Sequence, residues 1–210
     1  MVLATRLAIL GSLLQRTNRV NIGAMKKNRV IFDGGDFLIR DFIRDDAESL
    51  ALSGNDREVW LCLRDRFPSP YTRRDALDWI DLVNNSNPKI NFAIDVEGRV
   101  AGGIGLMLQT DVARVSAEIG YWLGKEYWGK GIMTKAVSGM SEWAFCNLPI
   151  TRLYALVFDF NKSSARVLEK CGYQLEGRLR KAAIKDGKVV DELLYAKIRD
   201  ELSTEAKLQS

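Results

Sequence analysis

The sequence contains no histidine at all. Ser-His and Cys-His nucleophile pairs are thereby excluded and the commonest zinc ligand is missing, so acid–base chemistry falls to carboxylates, tyrosine, serine or water, and no metal is expected. Cysteine is scarce as well. Cys62, Cys146 and Cys171 are widely spaced with no CxxC pair, which argues against a disulfide framework and for a reducing, cytoplasmic setting. No apolar run is long enough to span a bilayer. Residues 1–32 hold no acid but six bases, Arg6, Arg16, Arg19, Lys26, Lys27 and Arg29; the net charge of +4 less these six leaves −2 for the remainder. A mildly acidic body lacks the basic stripe of a nucleic-acid binder, so no nucleic-acid partner is expected. No internal repeat or long linker divides the 210 residues, and 47% apolar content suits a single core.

Three stretches are expected: a basic extension over 1–32, one domain over 33–203 and a frayed tail over 204–210. In the extension, Leu3, Leu7, Leu10 and Leu14 share a helical face with Arg6 and Arg16 nearby. An organelle transit sequence, a partner- or membrane-surface helix, and a start at Met25 are the competing readings.

The densest signal runs from Tyr121 to Phe145, YWLGKEYWGKGIMTKAVSGMSEWAF: a strand end, a glycine-bearing loop and a helix without a break. Met133, Ala136, Val137, Met140, Trp143 and Ala144 make the helix's apolar stripe, and the helix stops before Pro149. Gly129 and Gly131 permit a sharp turn and remove Cβ atoms, and the free N–H groups of the first turn face the loop with the positive end of the helix dipole. This arrangement reads as a pyrophosphate cradle, against the alternative that two glycines merely make a loop. A rival reading is the nucleotide-hydrolase loop, because Gly124 to Lys130 fits GxxxxGK and the strand Leu153 to Phe158 ends at Asp159. That loop needs Ser or Thr after its Lys to reach Mg²⁺, and Gly131 stands there instead, with Glu126, Tyr127 and Trp128 inside the nest.

Elsewhere, Phe37 to Ile39 read as a strand, and Asp45 as the cap of a helix over Ala47 to Leu52. A second helix is expected over Arg57 to Asp65. Thr72 and Asp75 form a capping box for a helix through Val83 that buries Ala76, Trp79, Ile80 and Val83. Asn91 to Val96 and Val100 to Leu108 flank a Glu97-Gly98 turn, and Val115 to Leu123 completes an antiparallel meander. Arg152 to Phe158 is a strand, Asn161 to Cys171 a helix closed by Gly172, and Tyr173 to Ile184 and Lys188 to Ile198 a hairpin around Asp186-Gly187.

This order of elements, with WGKGIMT and the later NKSSARVLEKCGYQLEG, resembles the GCN5-related N-acetyltransferases (GNAT), and most of all their ribosomal-protein N-terminal acetyltransferase (RimJ/RimL-like) branch, over roughly Asp36 to Glu201. The resemblance implies an α+β fold: a mixed, mostly antiparallel sheet of six to seven strands, helices on both faces, and a strand pair splayed at the cofactor site. It implies that Gly129, Lys130, Gly131, Ile132, Met133 and Thr134 bind the pyrophosphate of acetyl-CoA through backbone N–H groups. Trp128 and Met133 depart from the family's QxxGxG/A pattern. The strand end Tyr121, Trp122, Leu123 and the side chain of Asn161 would then hold the pantetheine arm, and Ser164 would face the thioester sulfur and return a proton to the thiolate. Read from residues alone, Asn161 and Ser164 are a helix cap and a first-turn residue.

Acetyl transfer needs a neutral amine, a stabilised oxyanion and a tolerable leaving thiolate. An α-amine, with a pKa of about 7.7 to 8.0, meets the first demand far better than a lysine near 10.4. The expected acceptor is therefore a protein or peptide N-terminus, with a polyamine or antibiotic amine, or a non-catalytic CoA-binding domain, as alternatives. Homodimerisation is left open. Glu118, among apolar strand neighbours, is the candidate base with an expected raised pKa, against the alternative of a solvent-facing position. A glutamate used by a related enzyme maps onto Ala183, so that base is missing, and Glu176 or water is the substitute if Glu118 is not. Cys171, at a helix C-terminus, reads as a packed core thiol rather than an acyl carrier. Trp143 reads as core and Trp128 as a shield over the cofactor.

Overall fold

Positive φ angles mark where the chain reverses: Glu97 and Gly98 at 53° and 81°, Asp186 and Gly187 at 50° and 72°. Two consecutive left-handed residues are what a two-residue hairpin turn requires. In the computed structural model, which describes residues 29–199, the elements are β1 (Val30–Asp33), β2 (Leu38–Arg40), α1 (Ala47–Gly54), α2 (Arg57–Leu61), α3 (Arg73–Asn84), β3 (Asn91–Val96), β4 (Arg99–Leu108), β5 (Ser116–Leu123), α4 (Ile132–Asn147), β6 (Arg152–Phe158), α5 (Lys162–Lys170), β7 (Gln174–Lys185) and β8 (Lys188–Ile198). The readings made for residues 1–25 and 204–210 lie outside the described residues.

Among the described residues the strands form one eight-stranded sheet in the order β1-β2-β3-β4-β5-β6-β8-β7. Every neighbouring pair is antiparallel except β5 and β6, which run parallel and are joined through α4, since a parallel pair needs a crossover. Side-chain alternation sorts the core into two layers. Phe92 and Ile94 pack with Ile132, Val137 and Met140 of α4 and Leu168 of α5. Ala93, between them in sequence, packs on the opposite face with Leu50 of α1 and Ile80 and Val83 of α3. Both faces of the middle strands are thus covered, which explains the near-continuous apolar run of β4.

The α+β expectation holds, with differences of detail. The sheet has eight strands rather than six to seven. Val30 to Asp33, which straddles the boundary expected between the extension (1–32) and the domain (33–203), is the first of them, four residues too short to show a period. It packs on α4, where a Cβ at Gly139 would stand 2.5 Å from the Phe32 ring. Asp46, not Asp45, directly precedes α1, and its carboxylate belongs to a buried cluster: the Arg40 guanidinium donates to Asp46 at 2.8 Å and, through Nε, to Asp95 at 2.6 Å. The second helix stops at Leu61, four residues before Asp65. Trp79 sits at the rim, 36% exposed, while Ala76, Ile80 and Val83 are buried as expected.

Candidate active site

β5 and β6 pair only over Ser116–Glu118 and Arg152–Tyr154. Beyond that, β5 follows β4 to Leu123 and β6 follows β8 to Phe158, so no ladder crosses between Ile119–Leu123 and Ala155–Phe158. This is the splayed pair. Two elements look into it from the α4 side, the loop before α4 and the start of α5.

Gly129 and Gly131 adopt φ of 75° and 79°, and a Cβ on either would meet nothing within 4 Å. The left-handed backbone, not crowding, is what calls for glycine there. Gly131 is the N-cap of α4; no side chain caps that helix and no acid stands in its first turn. The contrast with its neighbours is plain. Thr72 and Asp75 close a capping box on α3, and Asn161 Oδ1 accepts from the Ser164 N–H at 3.1 Å on α5. Only α4 among these leaves its positive end open towards the loop, the arrangement that receives an anion. Lys130 Nζ stands 5.5 Å over the Tyr127 ring, and Trp128, 42% exposed, donates its indole N–H to the Leu123 carbonyl at 2.7 Å. The hydrolase-loop alternative finds no support here, because Asp159 at the end of β6 is taken by Arg178 at 2.9 Å.

Alternation along β5 places Tyr121 on the α4–α5 face and Glu118 and Trp122 on the other. The Tyr121 hydroxyl reaches Ser164 Oγ at 2.8 Å, and burial pushes this phenol's pKa up. Glu118 is 13% exposed on its side chain, and Arg64 NH2 donates to its Oε1 at 2.5 Å. The surroundings expected for this carboxylate were apolar; a guanidinium stands there instead, carried by the segment after α2 that the sequence read as helix. Trp122 packs edge-on against Phe67 of the same segment.

On that face lies a cavity of 310 Å³ whose lining includes Arg64, Leu156, Phe158, Ala183, Lys185 and Glu192. Ala183 therefore does face a cavity, without a carboxylate. Glu176 does not: it is held by Arg152 at the opposite end of β6 from Asn161, and that contact keeps its carboxyl below the usual range. Cys171 is buried, its Sγ donating to the Thr134 carbonyl at 3.2 Å, and burial pushes its thiol up, away from a nucleophile. Trp143 is half-buried against Phe92. Among the described residues no cluster of His, Cys, Asp and Glu is placed to hold a metal ion, and no helix is long and apolar enough to cross a membrane.

The structure thus brings Tyr121, Asn161 and Ser164 together beside the opening and leaves Glu118 on the other side of the sheet. The Tyr121 hydroxyl, Arg64, Lys185 and Glu192 were missed as site residues. Tyr121 was legible only as backbone, and the other three carry no local motif.

Residues 36–174 match the family model described as an acetyltransferase (GNAT) domain. A putative ribosomal N-acetyltransferase of Bacillus subtilis, YdaF, is 32% identical over 162 residues, 74% of this chain and 87% of that protein. The solved ribosomal-protein-S5-alanine acetyltransferase of Vibrio fischeri superposes with a TM-score of 0.70 at 25% identity, over 82% of this chain and 98% of that one. The microcin C7 self-immunity acetyltransferase MccE, solved with acetyl-CoA and AMP, gives 0.69 at 27% identity, over 79% and 93%. With the open helix terminus, the splayed strands and these relatives in agreement, the chain belongs to the GNAT N-acetyltransferases, in the ribosomal-protein (RimJ/RimL-like) branch.

Proposed function

We propose that the protein transfers the acetyl group of acetyl-CoA directly to a primary amine, the N-terminal α-amine of a peptide or protein. The observation that carries this reading is the unladdered opening between β5 and β6 with the uncapped start of α4 behind it. It fits the cosubstrate, since the loop glycines leave space and the helix leaves N–H groups for a pyrophosphate. Gly129, Lys130, Gly131, Ile132, Met133 and Thr134 hold that group. The backbone of Tyr121, Trp122 and Leu123 pairs with the pantetheine arm as an added strand would, and Asn161 contacts it from the far side. Acetyl-CoA supplies an activated acetyl thioester; the remaining work falls to side chains.

Ser164 Oγ gives its proton to the departing sulfur and takes one back from solvent after CoA leaves, while the Tyr121 phenol, kept protonated by burial, holds that hydroxyl in place. Glu118 receives the proton of the amine on Oε2, which has no partner among the described residues, while Arg64 fixes Oε1. Such a site suits an amine that is already partly neutral, hence an α-amine rather than a lysine. No acyl-cysteine step is needed. A panel of peptide N-termini, lysine side chains and small amines, read by mass, tests the reading; acetylation confined to small amines or lysines would overturn the acceptor, and no acetyl-CoA turnover would overturn the activity.

A further inference from the structure

The cavity beside the opening is walled by the segment after α2 above and by β6, β8 and β7 below, and four ionisable side chains line it: Arg64, Asp65, Lys185 and Glu192. Three have partners. Arg64 holds Glu118 at 2.5 Å. Lys185, 2% exposed on its side chain, places Nζ 2.7 Å from Asp65 Oδ1 and 3.5 Å over the centre of the Trp60 ring. Glu192 is half-buried, and its carboxylate makes no hydrogen bond or ion pair among the described residues. It shares the cavity's floor with Leu156, Phe158 and Ala183, below the segment that carries Arg64 and Asp65. With Arg64 and Lys185 already paired to Glu118 and Asp65, a half-buried carboxylate on this apolar floor is unfavourable until a further cation meets it.

Its position narrows which cation. Glu192 registers with Phe158 on one side and Leu179 on the other, and none of the cavity's lining comes from β5. With neighbouring strands about 4.8 Å apart, the carboxylate stands roughly 5 to 10 Å beyond the opening. The reacting amine, which belongs at the opening, is therefore not the group that Glu192 meets. A volume of 310 Å³ is at the small end of ligand cavities and holds a short chain.

Building on the transfer reading above, we infer that this cavity receives the part of the acceptor that follows the reacting amine, and that Glu192 selects acceptors carrying a second cationic group there. A lysine or arginine next to a peptide N-terminus supplies that chemistry, and so does the far ammonium of a short diamine. Acceptors without it leave Glu192 unpaired; acceptors with an acid there are rejected.

Two matched pairs test this: a tripeptide amide with lysine in its second position against its norleucine counterpart, and diaminobutane against butylamine. For each pair, kcat/KM is measured with acetyl-CoA, and Kd by calorimetry on the CoA-saturated protein, which needs no turnover. The wild type is expected to favour the dicationic member by about tenfold or more in at least one pair, the gain of one charge-assisted contact, and the pair that shows it identifies the source of the cation. Glu192→Gln should bring that ratio to about one while leaving acetyl-CoA affinity unchanged, and Glu192→Asp should recover part of it. Glu192→Ala replaces the Gln variant if the latter fails to fold. A ratio near one in the wild type for both pairs, or one that survives neutralisation of Glu192, overturns the inference. If the calorimetric ratio appears and depends on Glu192 but no acceptor turns over, the cavity assignment stands and the transfer reading fails.

Discussion

The Tyr121 hydroxyl lies 2.8 Å from Ser164 Oγ, joining β5 to the start of α5 across the place where β5 and β6 part. The serine is fixed at its other end, its N–H bonded to Asn161 Oδ1 at 3.1 Å. With its backbone held by Asn161 and its hydroxyl by Tyr121, Ser164 has the defined direction that the proposed role of proton donor requires. Burial of the phenol keeps that donor chain protonated across neutral pH.

Ser164→Ala should lower kcat by about 100-fold while leaving acetyl-CoA affinity within about twofold, because a proton for the leaving sulfur matters only in the transition state. Tyr121→Phe should cost roughly tenfold, since the serine remains but loses its partner. Steady-state kinetics beside calorimetry separates the two parameters. An equal loss in affinity would assign Ser164 to binding alone.

Gly131→Glu should weaken acetyl-CoA by at least about 100-fold in a protein that still folds. The position is exposed and open, so nothing clashes, but a non-glycine at φ 79° is strained and a carboxylate at the open end of α4 repels a pyrophosphate. Lys130→Ala should cost no more than about fivefold, the backbone being the main ligand. Calorimetry on both variants checks the order.

Glu118→Gln should lower kcat/KM by roughly tenfold without abolishing activity, as expected for a weak base acting on an amine that is partly neutral. An unchanged kcat/KM would remove Glu118 from the chemistry and leave it as the anchor of Arg64.

Arg40→Met should destabilise the fold by about 3 to 5 kcal/mol, because it strands the carboxylates of Asp46 and Asp95, whose side chains are 5% and 10% exposed. Urea unfolding measures the loss. Activity per folded molecule should be unaffected, the cluster being remote from the opening between β5 and β6.

Alkaline solution should unfold the protein earlier than its ion pairs suggest. Burial raises the phenols of Tyr71, Tyr121 and Tyr173. The folded state therefore keeps protons that the unfolded chain gives up from about pH 10 upward, so these groups make stability fall as pH rises beyond that point. Urea midpoints at about pH 8 and about pH 11 should differ accordingly, and Tyr121→Phe should narrow the gap.

What the sequence determined by itself was local. Thr72 with Asp75, Asn161 with the Ser164 N–H, and the Glu97-Gly98 and Asp186-Gly187 turns each settle their geometry within a few residues, so their places in the chain announced them. The glycine loop before α4 was legible for the same reason. Tertiary structure alone decided the rest. Whether Glu118 faces an apolar wall or a guanidinium depends on Arg64, 54 residues away, and on the face of β5 it occupies, which a one-residue slip of register would reverse. Glu192 gave no signal, since a carboxylate within a strand reads as a solvated position until the cavity above it is known. β1 was invisible because four residues carry no period; only the β2 edge that pairs with them and the bare Gly139 on α4 make them a strand.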